Sequence, residues 1–134
     1  MNASSVIHLE ATPAAVGLAR QQIDRLADRL SPEVLEDARL MVSELVTNGL
    51  RHGAIESGQR IELSVALVAG LLRVEVCDPG PGFTPEARTT DSPDGTGWGL
   101  FLVSRLADRW GVHHDGANRV WFELADGDTG PPDR

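Results

Sequence analysis

Apolar residues along this chain keep two clear rhythms. Ile7 and Leu9 alternate with polar neighbours in a short strand. Val16, Ala19, Ile23, Leu26 and Leu30 then recur at helical spacing, with Thr12-Pro13 expected to cap a helix that runs to about Leu30. Ser31-Pro32-Glu33 opens a second helix, with Leu30 and Leu35 placed as a hydrophobic staple and His52 as the expected end before Gly53. The period then falls to two. Ile61, Leu63, Val65 and Leu67, followed by Leu72, Val74 and Val76, predict an antiparallel hairpin turning at Ala69-Gly70 and ending on Cys77-Asp78. Residues 79–97 are rich in glycine and proline and read as a long loop. A third helix is predicted over Trp98–Ala107, then strands over Trp110–His114 and Arg119–Leu124 around Asp115-Gly116. The order β-α-α-β-β-loop-α-β-β predicts an α/β fold: a two-layer sandwich with helices on one face of a mixed, mainly antiparallel sheet. Residues 1–124 form the expected domain, and 125–134 an expected disordered tail.

Composition narrows the function. At 134 residues, 41% hydrophobic and 24% charged, the chain is sized for one domain. No apolar run approaches the roughly 18 residues of a membrane span, and Met1–Ser5 lacks the basic start of a secretory signal, so a cytoplasmic address is expected. A net charge of −8 with scattered arginines argues against a nucleic-acid surface. There is no lysine, so a P-loop cannot hold a nucleotide here. Cys77 lies in an alternating apolar segment and reads as core.

Three segments carry candidate chemistry. On the second helix Glu44, Asn48 and His52 lie four apart and share a face, opposite Met41, Val42, Leu45 and Val46. That spacing also fits a solvated stripe. The chemistry adds that Mg²⁺ on a triphosphate takes most ligands from phosphates and water, so the Asn48 amide oxygen can complete its octahedron. Glu44, one turn earlier, can orient or deprotonate an attacking hydroxyl. Asp78-Pro-Gly80-Pro-Gly82 follows a strand, where the carboxylate can accept from an adenine amino group and the glycines admit the base. Alone, such a segment is more commonly a proline-glycine turn with Asp78 as its first residue. Gly95-Thr96-Gly97-Trp98-Gly99-Leu100 opens the third helix, where backbone N–H groups can receive phosphates or simply hinge a loop.

Taken together and in order, these segments resemble the N box and two glycine boxes of the GHKL, or Bergerat-fold, ATP-binding domains. The similarity runs from Ile7 to Leu124 and is greatest to the small anti-sigma-factor serine/threonine kinases and their actinobacterial relatives, which Leu106–Val112 and Val120–Leu124 also resemble. The resemblance implies a cytoplasmic, ATP- and magnesium-using protein kinase. Glu44 would be its catalytic base and Asn48 its magnesium ligand. Asp78, Gly80, Gly82, Thr96, Gly97, Gly99 and Leu100 would complete the ATP site. It implies a sigma factor and an anti-sigma-factor antagonist as partners, a homodimer, no membrane or DNA contact, and Arg20 as a partner-facing residue. Two departures stand out: Asp94-Gly95 precedes the second glycine box where better-characterised kinases carry a basic residue, and Arg119 stands where alignment places the late threonine beside the adenine. They motivate an alternative, an ATP-dependent regulatory module in a partner-switching pathway that binds without transferring phosphate.

Overall fold

The computed structural model describes residues 2–50, 60–78, 98–114 and 117–126. Its strands are β1 (Ala3–Leu9), β2 (Ile61–Val68), β3 (Leu71–Asp78), β4 (Arg109–His114) and β5 (Asn118–Ala125). Its α-helices are α1 (Ala14–Asp24), α2 (Pro32–Gly49) and α3 (Trp98–Leu106), with a 3-10 turn at Ala27–Arg29. The sheet order is β1-β2-β3-β5-β4. Every neighbouring pair among the described strands is antiparallel, which corrects the expected mixed sheet. The reason is topological: β5 turns back from β4 and inserts between it and β3, separating the two strands that point the same way.

The alternation read from the sequence fixes which face is covered. Ile61, Leu63, Val65 and Leu67 of β2, Leu72, Val74 and Val76 of β3, and Phe122 of β5 are all buried. Ala15, Ala19 and Ile23 of α1 and Val34, Ala38, Met41, Val42, Leu45 and Val46 of α2 are buried with them in one cluster, joined by Leu100 and Val103 of α3. Each large apolar side chain removed from water here contributes about 1.5–3 kcal/mol before entropy is counted.

Local chemistry sets the helix ends. Ser31 is extended (φ −65°, ψ 155°) and its Oγ accepts from Val34 N at 3.3 Å, with Pro32 in the first turn of α2. Its backbone N donates to the Asp126 carboxylate at 3.2 Å, and Asp126 N donates to Gly70 O at 2.9 Å. Ala125 and the buried Asp126 therefore belong to the fold, two residues past the expected boundary. Helix α1 stops six residues before the expected Leu30 and passes through a 3-10 turn at Ala27–Arg29, after which Pro32 holds Ser31 extended. The tighter 3-10 turn keeps Leu26 and Leu30 on the core even so. Thr12 does not cap α1 with its side chain; Pro13 is the N-cap and the first turn closes on backbone bonds, including Ala15 N to Thr12 O at 2.9 Å.

Candidate nucleotide site

The site lies where α2 runs into the end of β3. Glu44 and Asn48 are both half-buried on α2, whose apolar side is sealed against the sheet. Thr47, between Glu44 and Asn48, spends its hydroxyl on the Ser43 carbonyl at 2.7 Å. Gly49 then brings the helix backbone against Asp78: a Cβ at Gly49 would stand 3.4 Å from Asp78 Cβ, 3.5 Å from its Oδ2 and 3.3 Å from Ile61 Cδ1. Lack of a side chain at residue 49 thus sets how closely the Asn48 turn approaches the carboxylate.

Asp78 is the last residue of β3 and is 6% exposed. A buried carboxylate needs donors. One comes from directly across the sheet, where Asn118, 1% exposed, sends its Nδ2 to Asp78 Oδ1 at 3.2 Å. Asn118, rather than Arg119, is therefore the β5 residue beside Asp78. Arg119 opposes Cys77 and points to the other sheet face, where its guanidinium meets Glu75 Oε2 at 3.3 Å. The sequence held the signal: Val120, Phe122 and Leu124 face the helices, so Asn118 shares their parity and Arg119 does not. Cys77 lies half-buried on that outer face, which corrects its expected place in the core, because its parity is opposite to that of Val74 and Val76; burial still pushes its thiol above the ordinary value, only partly offset by the Arg119 charge.

Of the remaining expected residues, Gly99 lies in the first turn of α3. Leu100 is 2% exposed and its side chain belongs to the core, so what it can offer a phosphate is its main-chain N–H. Gly80, Gly82, Thr96 and Gly97, together with His52, Asp94 and Gly95, lie outside the described residues. Glu44 opens onto a groove of about 630 Å³ that it shares with Arg20, Leu35, Arg39, Leu40 and Ser43. Sequence reasoning had placed Arg20 and Glu44 in separate roles; the α1–α2 packing brings both to one surface.

Comparison with known proteins bears on what this geometry does. The family model of the histidine kinase-like ATPase domain matches residues 9–124. The chain belongs to this family. Serine-protein kinase RsbW of Listeria monocytogenes serotype 4a (strain HCC23) is 30% identical over 129 residues, covering 86% of this chain and 82% of the Listeria protein. RsbW of Oceanobacillus iheyensis is 31% identical over 114 residues, covering 73% and 71%. The crystal structure of the RsbU and RsbW domains of a Mycobacterium tuberculosis protein aligns with a TM-score of 0.72 over 92% of this chain. At 23% identity, and with only 32% of that longer chain covered, it establishes the fold alone. The chain is thus a histidine kinase-like ATPase domain of the RsbW serine-protein kinase type, and ATP is its nucleotide. No helix among the described residues is long and apolar enough to cross a membrane.

Proposed function

We propose that this protein is a cytoplasmic protein-serine/threonine kinase of the anti-sigma-factor type, which sequesters a sigma factor and transfers the γ-phosphoryl of ATP to an anti-sigma-factor antagonist. The observation that supports this reading is the close approach of α2 to β3, where Gly49, next to Asn48 in the chain, packs against Asp78, itself held by Asn118.

Asp78, oriented by Asn118, accepts from the adenine amino group and fixes the base end of the nucleotide. By family resemblance Gly80, Gly82, Thr96 and Gly97 are assigned to the same ATP site, and the backbone N–H groups of Gly99 and Leu100 at the start of α3 receive phosphate oxygens. Asn48 fits a magnesium ion because its neutral, half-exposed amide oxygen supplies one hard ligand while phosphates and water supply the rest. When bound, Mg²⁺ neutralises phosphate charge during transfer. Glu44 is placed to take the proton of the attacking serine or threonine hydroxyl, and the groove it shares with Arg20 gives a protein substrate access to it. We assign the homodimer to the same reading.

The test is transfer of label from γ-labelled ATP to a captured antagonist, with ATP binding followed in parallel. Glu44→Gln should remove transfer and spare ATP binding; phosphorylation at the wild-type rate in that variant would reject Glu44 as the base. ATP-dependent partner binding with no phosphoprotein in the wild type would favour the non-catalytic module suggested by Asp94-Gly95.

A further inference from the structure

The α-helices pack on the face of the sheet that carries Leu63, Val74 and Phe122, so among the described residues no helix covers the opposite face. On that opposite face the strand register sets side by side Arg73 and Glu75 of β3, Arg119, Trp121 and Glu123 of β5, and Arg109 of β4. Close contacts fix their arrangement. Trp121 lies against Gly111 of the neighbouring strand, where a Cβ would come within 2.6 Å of the indole nitrogen, so only glycine at residue 111 leaves room for the ring. The Arg73 guanidinium stacks on that ring, 4.2 Å from its centroid. Arg73 also reaches Glu123 at 2.9 Å and Glu75 at 3.7 Å. Arg119 meets Glu75 at 3.3 Å, and Arg109 meets Glu123 at 3.7 Å.

What this lattice turns to solvent is cationic. The carboxylates lie low, with the Glu123 side chain 10% exposed and that of Glu75 24%. The guanidinium groups lie above them, on side chains 36% exposed at Arg119, 41% at Arg73 and 74% at Arg109. Three arginines against two glutamates make this a basic island in a chain of net charge −8. Within the fold alone the arrangement carries a cost, because Trp121 Nε1 is buried without an acceptor among the described residues. Side chains already held by stacking and ion pairs lose little further freedom when a ligand arrives. Tryptophan and arginine are also the residues on which protein interfaces most often concentrate their binding energy.

We propose that this face of β3, β5 and β4 docks an acidic segment of a partner protein. Carboxylates of that segment bind Arg109, with Arg73 and Arg119 beside it, and a neighbouring apolar side chain rests on the half-buried Trp121. A nucleic acid is a poorer ligand, since three arginines make no continuous cationic track and the rest of the chain repels phosphates. The inference does not rest on the kinase reading, since none of these residues belongs to the nucleotide site.

The experiment uses the whole chain with ATP present and fluorescein-labelled peptides in which leucine alternates with glutamate or with lysine, beside a single-stranded oligothymidylate of matched charge. Anisotropy should show the glutamate peptide binding at least about tenfold more tightly than the other two, and hydrogen exchange should slow across β4 and β5. Arg109→Glu with Arg119→Glu should weaken the glutamate peptide by about tenfold and leave ATP affinity unchanged. The same charge change at the exposed Arg25 and Arg29, on the helical side, should leave peptide affinity as it was. Arg109→Gln, at a side chain the fold barely uses, and Trp121→Phe, which keeps a ring beside Gly111, should each weaken the peptide severalfold with the thermal midpoint preserved. Absence of glutamate-peptide binding, equal binding of the lysine peptide or the oligothymidylate, or equal losses in the two charge-reversed variants would overturn the proposal. So would protection of β4 and β5 without peptide that grows with protein concentration, since a second copy would then cover the face.

Discussion

Asn118 and Asp78 are forty residues apart in the chain and directly opposite in the sheet, joined by a 3.2 Å bond from amide to carboxylate. The pair makes the carboxylate at the end of β3 a fixed acceptor. Replacing Asn118 by Ala removes one donor to a buried charged group, at a cost of about 1.5–3 kcal/mol. ATP affinity should fall by about tenfold, which corresponds to about 1.4 kcal/mol. Arg119→Ala, one residue away on the outer face, should leave ATP affinity as it was. Calorimetric titration of both variants checks this, and equal losses in the two would contradict the assignment.

Gly49 makes a separate prediction about spacing. Valine there would place branched carbons inside contacts already at 3.3–3.5 Å, against the fully buried Ile61 and the Asp78 side chain. Overpacking of this kind costs about 1–3 kcal/mol. Gly49→Val should lower the urea midpoint and weaken ATP binding together. Retention of both would show that α2 moves freely relative to β3.

The β2–β3 turn carries a correctable cost. Ala69 sits at φ 53° ahead of Gly70 at φ 80°, the left-handed pair that favours asparagine then glycine. Alanine in that region costs about 1–2 kcal/mol, so Ala69→Asn should raise stability by about 1 kcal/mol. Chemical denaturation measures it, and a neutral or negative change would refute the strain.

Asp37 supplies the pH dependence. Burial first, then the charges of Glu33 and Glu36, raise its carboxyl above the ordinary value. A group whose folded pKa is raised contributes stability that is full below its unfolded pKa and is lost as pH rises through the folded one. At neutral pH ionised Asp37 therefore burdens the native state. Asp37→Asn should stabilise the protein at pH 7, by about 0.2–0.5 kcal/mol for relief of one like-charge pair on a helix, and the gain should vanish below about pH 3.9, where the unfolded carboxyl is protonated. Denaturation curves at pH 7 and pH 3 test the sign.

Much of the architecture was readable because local chemistry and packing agree. Ser31-Pro32 announces the start of α2, and period-two alternation announces β2 and β3, since the same residues satisfy both backbone and core. The end of α1 was hidden, because Leu26 and Leu30 stay buried whether the turn carrying them is α or 3-10, so periodicity could not separate the two. The alignment pointed to Arg119 on β5, whereas the residue opposite Asp78 is Asn118, and in a strand one residue changes the face. The docking of Asp126 onto Ser31 spans 95 positions and has no local signature. At the nucleotide site, Glu44, Asn48 and Asp78 stood out by spacing and motif. The role of Gly49 did not, because its meaning is a distance to another element.

The order β3-β5-β4 has a consequence for how the protein is made. A ribosome releases Asp78 well before Asn118, and β5 is the last of the described strands to be synthesised. In a nascent chain the Asp78–Asn118 pair therefore forms only once β5 enters the gap between β3 and β4. From then on, any nucleotide held at that seam favours the closed sheet over the open one, by an amount that grows with its concentration relative to its dissociation constant.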